Sequence, residues 1–400
     1  MVPVSAVAMR APRLAVVAGE TSGDQLGAAL IDSLRARCPG LEVRGVCGPL
    51  MRSAGCAPLA DAHDLAVMGL IEVLAHLPRL LRLRRRLRRE FQDWQPDAFI
   101  GIDAPEFNLG LARQLRAGGL KTVQYVSPQV WAWRERRVQR IAAACDLVLC
   151  LLPFEPPFYA RHGAQAQFVG HPLADQIPLG LDRAAARRTL GLGAQSTVVA
   201  LLPGSRAGEV SRLGPDFIAA ATALATRQPG VEFIAPMASA RTRTLFTAQL
   251  AAAGHGRIRM LEGQARLALE AADAALVASG TASLEALLCR CPMVVAYRLG
   301  TATAFLLRAL RMVRLPYFSL PNLLAAEKLV PEFFQEAVTG PALADALQIQ
   351  LTDAPRRAML AGRFRAIHVT LRCGGAARAA DAVLKLIDGG DHAIATGRRG

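Results

Sequence analysis

Short apolar runs, each followed by a turn or a helical segment, constrain this chain most. LAVVAG (14–19), LEVRGVCG (41–48), DAFIGID (97–103), KTVQYVS (121–127) and DLVLCLL (146–152) form a first series. A strand with one wet face alternates apolar and polar residues. Runs that stay apolar belong to strands buried on both faces, as in a parallel sheet sandwiched by helices. The pattern resets in the Pro- and Gly-rich stretch GHPLADQIPLG (170–180). TVVALLPGSR (197–206), VEFIAPM (231–237), IRMLEG (258–263), AALVAS (274–279) and MVVAYRL (293–299) then form a second series. The expected fold is α/β, with two Rossmann-like domains facing across a cleft. Their expected bounds are 1–172 and 173–385, with a frayed tail at 386–400. Ligands of such sheets bind beyond the carboxyl ends of the strands, so the strand-end loops are where chemistry is sought.

Length and charge narrow the class. A chain of 400 residues is too long for one ordinary core and suits two domains. With 52% hydrophobic and 20% charged residues it is globular. The net charge of +15 asks for an anionic partner, unless the whole proteome is basic. The eight cysteines contain no CxxC pair, which indicates a reducing compartment and no structural zinc. MVPVSAVAMRAPR has no basic region ahead of a long apolar stretch, so no signal peptide is expected, and no run of 18 apolar residues predicts a membrane span. The mean hydropathy of +0.27 is high, so apolar surface must be buried or meet something greasy.

Several strand ends carry reactive side chains. In AGETSGDQLGA (18–28), Gly19 and Gly23 suggest a phosphate loop, but Glu20 and Asp24 would repel phosphate. Those acids suit sugar hydroxyls, or cap a helix. In GIDAPEFN (101–108), Asp103 stands at the mouth of a buried strand, placed as a general base or as a helix cap; Asn108 and Glu106 could cap equally well. LLPGSRAGEV (201–210) brings Gly204, Ser205 and Arg206 to a helix start, either as a phosphate cradle or as an ordinary turn. SGTASLE (279–285) offers Ser279, Gly280, Thr281 and Ser283 to a diphosphate, with Glu285 placed for ribose hydroxyls or for the helix dipole.

Two further stretches read as surfaces. MGLIEVLAHLPRLLRLRRRLRREF (68–91) interleaves Met68, Leu70, Val73, Leu74 and Leu77 with a dense set of arginines that includes Arg84 and Arg85. A basic amphipathic helix of this kind suits an anionic membrane or acyl chains; a helix packed on the sheet with a solvated basic face is the alternative. YVSPQVWAWRERRV (125–138) sets Trp131 and Arg134 between a strand and a basic helix, as binding surface or as an interface plug. Asn322 and Gln335, in LPNLLAAEKLVPEFFQ (320–335), mean little taken alone.

Together with GPLMRSAG and FVGHPLAD, these stretches resemble the lipid-A-disaccharide synthase family, in that family's order, from about residue 17 to 336. GIDAPEFN with VSPQVWAWR is the specific part. The family often has Gly where Ala326 stands and Asp where Glu106 stands. The resemblance implies a GT-B glycosyltransferase that is inverting and metal-independent, with no cofactor. It implies UDP-2,3-diacylglucosamine as donor and 2,3-diacylglucosamine 1-phosphate (lipid X) as acceptor. The product would be the β-1′,6-linked disaccharide 1-phosphate, made at the anionic inner face of the cytoplasmic membrane by a peripheral, cytoplasmic enzyme. Some members form a homodimer by exchanging C-terminal domains. Asp103 is then the expected base, with Glu20 next, and Asp24 joins Glu20 on the acceptor side. Gly204, Ser205, Arg206, the Ser279–Thr281 turn, Ser283, Glu285, Asn322 and Gln335 are the expected UDP-donor contacts. Another UDP-sugar GT-B enzyme, such as a lipid-linked N-acetylglucosaminyltransferase or an epimerase, is the alternative, although the former opens with a GGTGGH-like loop. A basic membrane-surface binding protein is a third reading. No aromatic–basic RNA motif points to nucleic acid, and no GxGxxG points to a dinucleotide.

Overall fold

A computed structural model describes residues 10–65, 70–130, 137–254, 258–300 and 316–396. The chain divides into two units. One runs to Pro172 and resumes at Arg372; the other is Leu173–Leu371.

The first unit holds a seven-stranded sheet: β1 (Arg13–Ala18), β2 (Glu42–Cys47), β3 (Cys56–Asp61), β4 (Ala98–Ile102), β5 (Lys121–Tyr125), β6 (Leu147–Cys150) and β7 (Ala166–Phe168). Its order is β3-β2-β1-β4-β5-β6-β7, and every pairing is parallel. β4 and β6 are buried at every residue, as their unbroken apolar runs require. One face is covered by the helix Thr21–Arg35 through Leu26, Leu30, Ile31 and Leu34. The other face takes Leu87 and Phe91 of the helix Leu70–Trp94, with Leu111 and Leu115 of Pro105–Ala117. Each such side chain, fully buried, contributes about 1.5–3 kcal/mol.

The second unit repeats the plan with β8 (Val198–Leu202), β9 (Glu232–Met237), β10 (Ile258–Glu262), β11 (Ala274–Ala278), β12 (Met293–Tyr297) and β13 (Glu332–Phe334). The order is β10-β9-β8-β11-β12-β13, again parallel. β3, β7 and β13 are strands the sequence did not announce. All three lie at sheet edges and none is buried along its length, so none carries an unbroken apolar run.

The C-terminus departs from expectation. The helix Gly375–Thr396 takes in residues 386–396 of the expected tail, the rest lying outside the described residues, and belongs to the first unit, not the second. Ala379, Ala380 and Val383 join Leu30 and Leu34 in one apolar cluster, and Arg37 pairs with Asp381 at 2.6 Å. Small residues at helical spacing allow close packing, but their spacing does not say which sheet they will meet.

The basic helix Leu70–Trp94 runs through Pro78. Leu87 and Phe91 fix its end in the core, while Leu77 and Leu81 are exposed among arginines. Met68, Trp131 and Arg134 lie outside the described residues, as do the side chains of Leu70, Val73 and Leu74. No helix among the described residues is long and apolar enough to cross a membrane.

Candidate active site

In the first sheet β1 and β4 are neighbours. The chain leaves one toward the β3 edge and the other toward the β7 edge, which opens a crevice past their carboxyl ends. The register Ala18↔Ile102 sets Gly19 and Glu20 beside Asp103 and Ala104. A Cβ on Gly19 would stand 2.5 Å from that of Ala104, so only glycine lets the loops approach this closely.

The backbone at this junction is strained. Asp103 has φ 53°, Ala104 φ 40° and Val126, just past β5, φ 77°. The left-handed region costs an L-residue about 1–2 kcal/mol. Two buried amides hold it in place. Asn108 donates from Nδ2 to the carbonyl oxygens of Asp103 at 2.8 Å and Val17 at 3.3 Å. Gln124 donates from Nε2 to those of Asp103 at 3.2 Å and Val126 at 3.3 Å. The Asp103 carboxylate is half-buried and accepts no hydrogen bond from any described residue. A fixed backbone with an unspent carboxylate is suited to receive a proton.

The two acids of the β1 loop separate in role. Glu20 is exposed at the start of the helix Thr21–Arg35, and its side chain does not cap that helix. Asp24 is buried and accepts from the N–H groups of Gly48 at 2.9 Å, Leu50 at 2.9 Å and Met51 at 3.0 Å. It therefore caps the short helix Pro49–Ser53, the cap role that the sequence left open beside a sugar contact, though on a neighbouring helix and not its own.

In the second sheet β8 and β11 occupy the equivalent place, with register Leu202↔Val277. Past β8, the Glu209 carboxylate accepts from the N–H groups of Ser205 at 3.0 Å and Arg206 at 3.2 Å. The expected backbone cradle at Gly204, Ser205 and Arg206 is thus filled by the protein's own anion. The Arg206 side chain remains exposed.

Past β11, Gly280 has φ 147° and ψ −155°, a conformation open to glycine, and starts the helix Thr281–Leu288. Ser279 donates to the Phe318 carbonyl oxygen at 3.3 Å, and Thr281 is exposed. Glu285 is half-buried with no side-chain partner among the described residues, and burial pushes its carboxyl above the ordinary value.

Three expected donor contacts hydrogen-bond within the fold. Ser283 is fully buried and donates to the Gly280 carbonyl oxygen at 2.7 Å. Asn322 is fully buried, donates to Val330 and accepts from Leu329 and Val330, at 2.9, 2.8 and 2.8 Å. Gln335 is buried and accepts from the Leu299 N–H at 2.8 Å.

The lipid-A-disaccharide synthetase family model matches residues 14–383. This chain belongs to the lipid-A-disaccharide synthase family. It is 50% identical over 387 residues to the lipid-A-disaccharide synthase of Xanthomonas campestris pv. campestris strain 8004, covering 96% of this chain and 88% of that one. Against that of Pseudomonas aeruginosa UCBPP-PA14 it is 51% identical over 376 residues, covering 94% and 98%. Solved structures share the fold at low identity. The glycotransferase of kitacinnamycin matches with TM-score 0.61 and 18% identity over 94% of this chain and 99% of that one. The calicheamicin glycosyltransferase CalG4 matches with TM-score 0.59 and 16% identity over 95% and 99%. The chain is a GT-B glycosyltransferase of lipid A biosynthesis.

Within this synthase fold, the sequence reading missed Gln124, Glu209 and an aromatic cluster. Tyr297, Phe318 and Phe334 stack with centroids 5.9 and 6.1 Å apart. Burial raises the Tyr297 hydroxyl; the Glu209 carboxylate pushes the same way, and Arg212 and Arg206 oppose it. Glu209 had a visible signal: it stands three residues after the first capping position of its helix, where a carboxylate reaches back to N–H groups. Gln124 had none, because it sits in an apolar strand and its partners come from the sheet register.

Proposed function

We propose that the enzyme transfers 2,3-diacylglucosamine from its UDP ester to the 6-hydroxyl of lipid X, with inversion. The Asp103 carboxylate takes the hydroxyl proton as the oxygen bonds to the anomeric carbon. The bond from that carbon to the UDP phosphate oxygen breaks on the opposite face, and its electron pair leaves with UDP. Glu20, in the neighbouring loop, accepts hydrogen bonds from acceptor hydroxyls and is the reserve base. Charge grows on the departing diphosphate. Arg206, Ser279, Gly280 and Thr281 stabilise it, the last two through N–H groups at a helix start. Glu285 holds the ribose, and its lack of a side-chain partner among the described residues supports that assignment. The exposed leucines and arginines of the helix Leu70–Trp94, Arg85 among them, with the half-buried Arg84 beside them, carry the enzyme onto an anionic membrane surface.

The observation that carries this reading is Asp103 itself: a carboxylate free of described partners on a backbone pinned by Asn108 and Gln124. The test is turnover of the diacylated UDP donor and lipid X, read as UDP and disaccharide by mass spectrometry. Asp103→Asn should lower kcat about 10²–10⁴-fold while UDP affinity stays as in the wild type. A near-normal rate in that variant moves the base elsewhere. Turnover of non-acylated UDP-N-acetylglucosamine in place of the diacylated pair rejects the substrate assignment.

A further inference from the structure

A cavity of about 520 Å³ opens on the first unit among the helices Leu70–Trp94, Pro105–Ala117 and Val138–Ala144. Its charged lining is Arg84, Arg113, Arg137, Arg140 and Glu106. Four cations against one anion leave an excess of three positive charges. Arg137 is taken up by Glu106 at 2.8 Å. Arg113 and Arg140 are exposed and have no partner among the described residues. Arg84 is the most constrained. It reaches the Glu106 carbonyl oxygen at 3.1 Å and lies over the Phe107 ring at 5.1 Å, yet its Nε–H is buried with nothing to bond. Burial also holds its guanidinium below the usual value, as for a cation short of an anion.

The rest of the lining is mixed, with Gln114 and Gln139 beside an apolar part. Leu109, Pro128, Val130 and Ile141 face the same space. A small inorganic anion needs no such lining, and a purely apolar ligand would leave three cations uncompensated. Guanidinium forks converging on one space suit the several oxygens of a phosphate better than a single carboxylate. The volume falls in the range of roughly 300–1,000 Å³ that holds a small ligand.

We propose that this cavity binds a phosphate ester carrying an acyl chain, with Arg113, Arg140 and Arg84 on the phosphate and the apolar lining on the start of the chain. That chemistry has two sources: a membrane phospholipid, or the phosphate of an acylated sugar acceptor. The second source rests on the transferase reading; the first does not.

Calorimetric titration with dihexanoyl phosphatidic acid, below its micelle concentration, tests the site without any turnover. The variant is Arg113→Gln with Arg140→Gln; both side chains are exposed and have no partner among the described residues, and a melting curve checks that it folds. The wild type should bind this probe about tenfold more tightly than the variant does, and more tightly than it binds inorganic phosphate or dihexanoyl phosphatidylcholine. Equal binding by wild type and variant overturns the proposal. So does inorganic phosphate binding as well as the acylated probe. Two further arms separate the sources. A raised KM for a short-chain acylated sugar phosphate, with the donor KM unchanged, assigns the cavity to the acceptor. Weaker sedimentation with phosphatidylcholine–phosphatidylglycerol vesicles at an unchanged acceptor KM assigns it to the membrane. No change in either arm rejects it. Lipid binding without any turnover in the wild type rejects the transferase reading and leaves the cavity standing.

Discussion

Asn108 gives its Nδ2 hydrogen to the carbonyl oxygen of Asp103 at 2.8 Å, so a buried amide fixes the backbone of the residue assigned as base. Asn108→Ala removes that donor, leaving the Asp103 carbonyl oxygen with Gln124 alone and taking a bond from that of Val17. The expected cost is about 1–3 kcal/mol of stability. Because the Asp103–Ala104 turn then relaxes toward ordinary φ, kcat should fall by up to about 10²-fold, with the donor KM little changed. Chemical denaturation and steady-state kinetics on the same preparation check both. A variant that loses stability but keeps kcat shows that the pinning serves the fold alone.

Glu209 makes the opposite kind of prediction. Its carboxylate sits on the Ser205 and Arg206 N–H groups, next to the side chain assigned to the departing diphosphate. Glu209→Gln keeps an acceptor for those groups and removes the charge. A like charge a few ångströms away costs about 1 kcal/mol in high dielectric. UDP should therefore bind about fivefold more tightly to the variant, as measured by calorimetry. Weaker binding would mean that the charge is needed to shape the loop.

Glu285 predicts a pH dependence. Burial raises its carboxyl in the folded state, so ionising it there costs more than in the unfolded chain. The sign follows: stability is greatest below the unfolded carboxylate value and declines as pH rises through the raised folded value. Glu285→Gln lacks that decline. Its melting temperature should match the wild type near about pH 4 and exceed it near about pH 8. If the carboxylate also holds ribose, the variant's affinity for UDP drops about tenfold at the higher pH. A stability gain without loss of UDP affinity removes Glu285 from the site.

Ala326 ends the helix Leu320–Ala325 with φ 55°, where glycine is favoured. Ala326→Gly relieves a penalty of about 1–2 kcal/mol, part of which returns as entropy in the unfolded chain. A net gain of about 1 kcal/mol raises the melting temperature by roughly 2–4 °C. Calorimetric melting of the two proteins decides it.

What could be read from the sequence divides along a physical line. Asp103, Arg206 and the Ser279–Thr281 turn follow long apolar strands, and their positions past strand ends were readable because burial on both faces leaves an unbroken run. Asp24, Ser283 and Asn322 looked equally polar and equally placed. Their partners lie 24–27 residues ahead, three residues back and seven to eight residues ahead, and only the folded backbone reveals that their polar groups already have partners. The same holds for Glu209, which fills the cradle that glycine and serine advertised. Polar residues near a strand end thus mark a neighbourhood. Which of them remain available depends on the hydrogen bonds that closing the fold consumes.

The pairing of Arg37 with Asp381 spans 344 residues. At roughly 5–20 residues per second, a ribosome needs about 17–70 s to deliver the second partner after the first. Throughout that interval Leu30 and Leu34 wait for Ala379, Ala380 and Val383, and the uninterrupted stretch Leu173–Leu371, which holds everything its own sheet requires, is complete before they arrive. The half of the enzyme that is made first is therefore finished last.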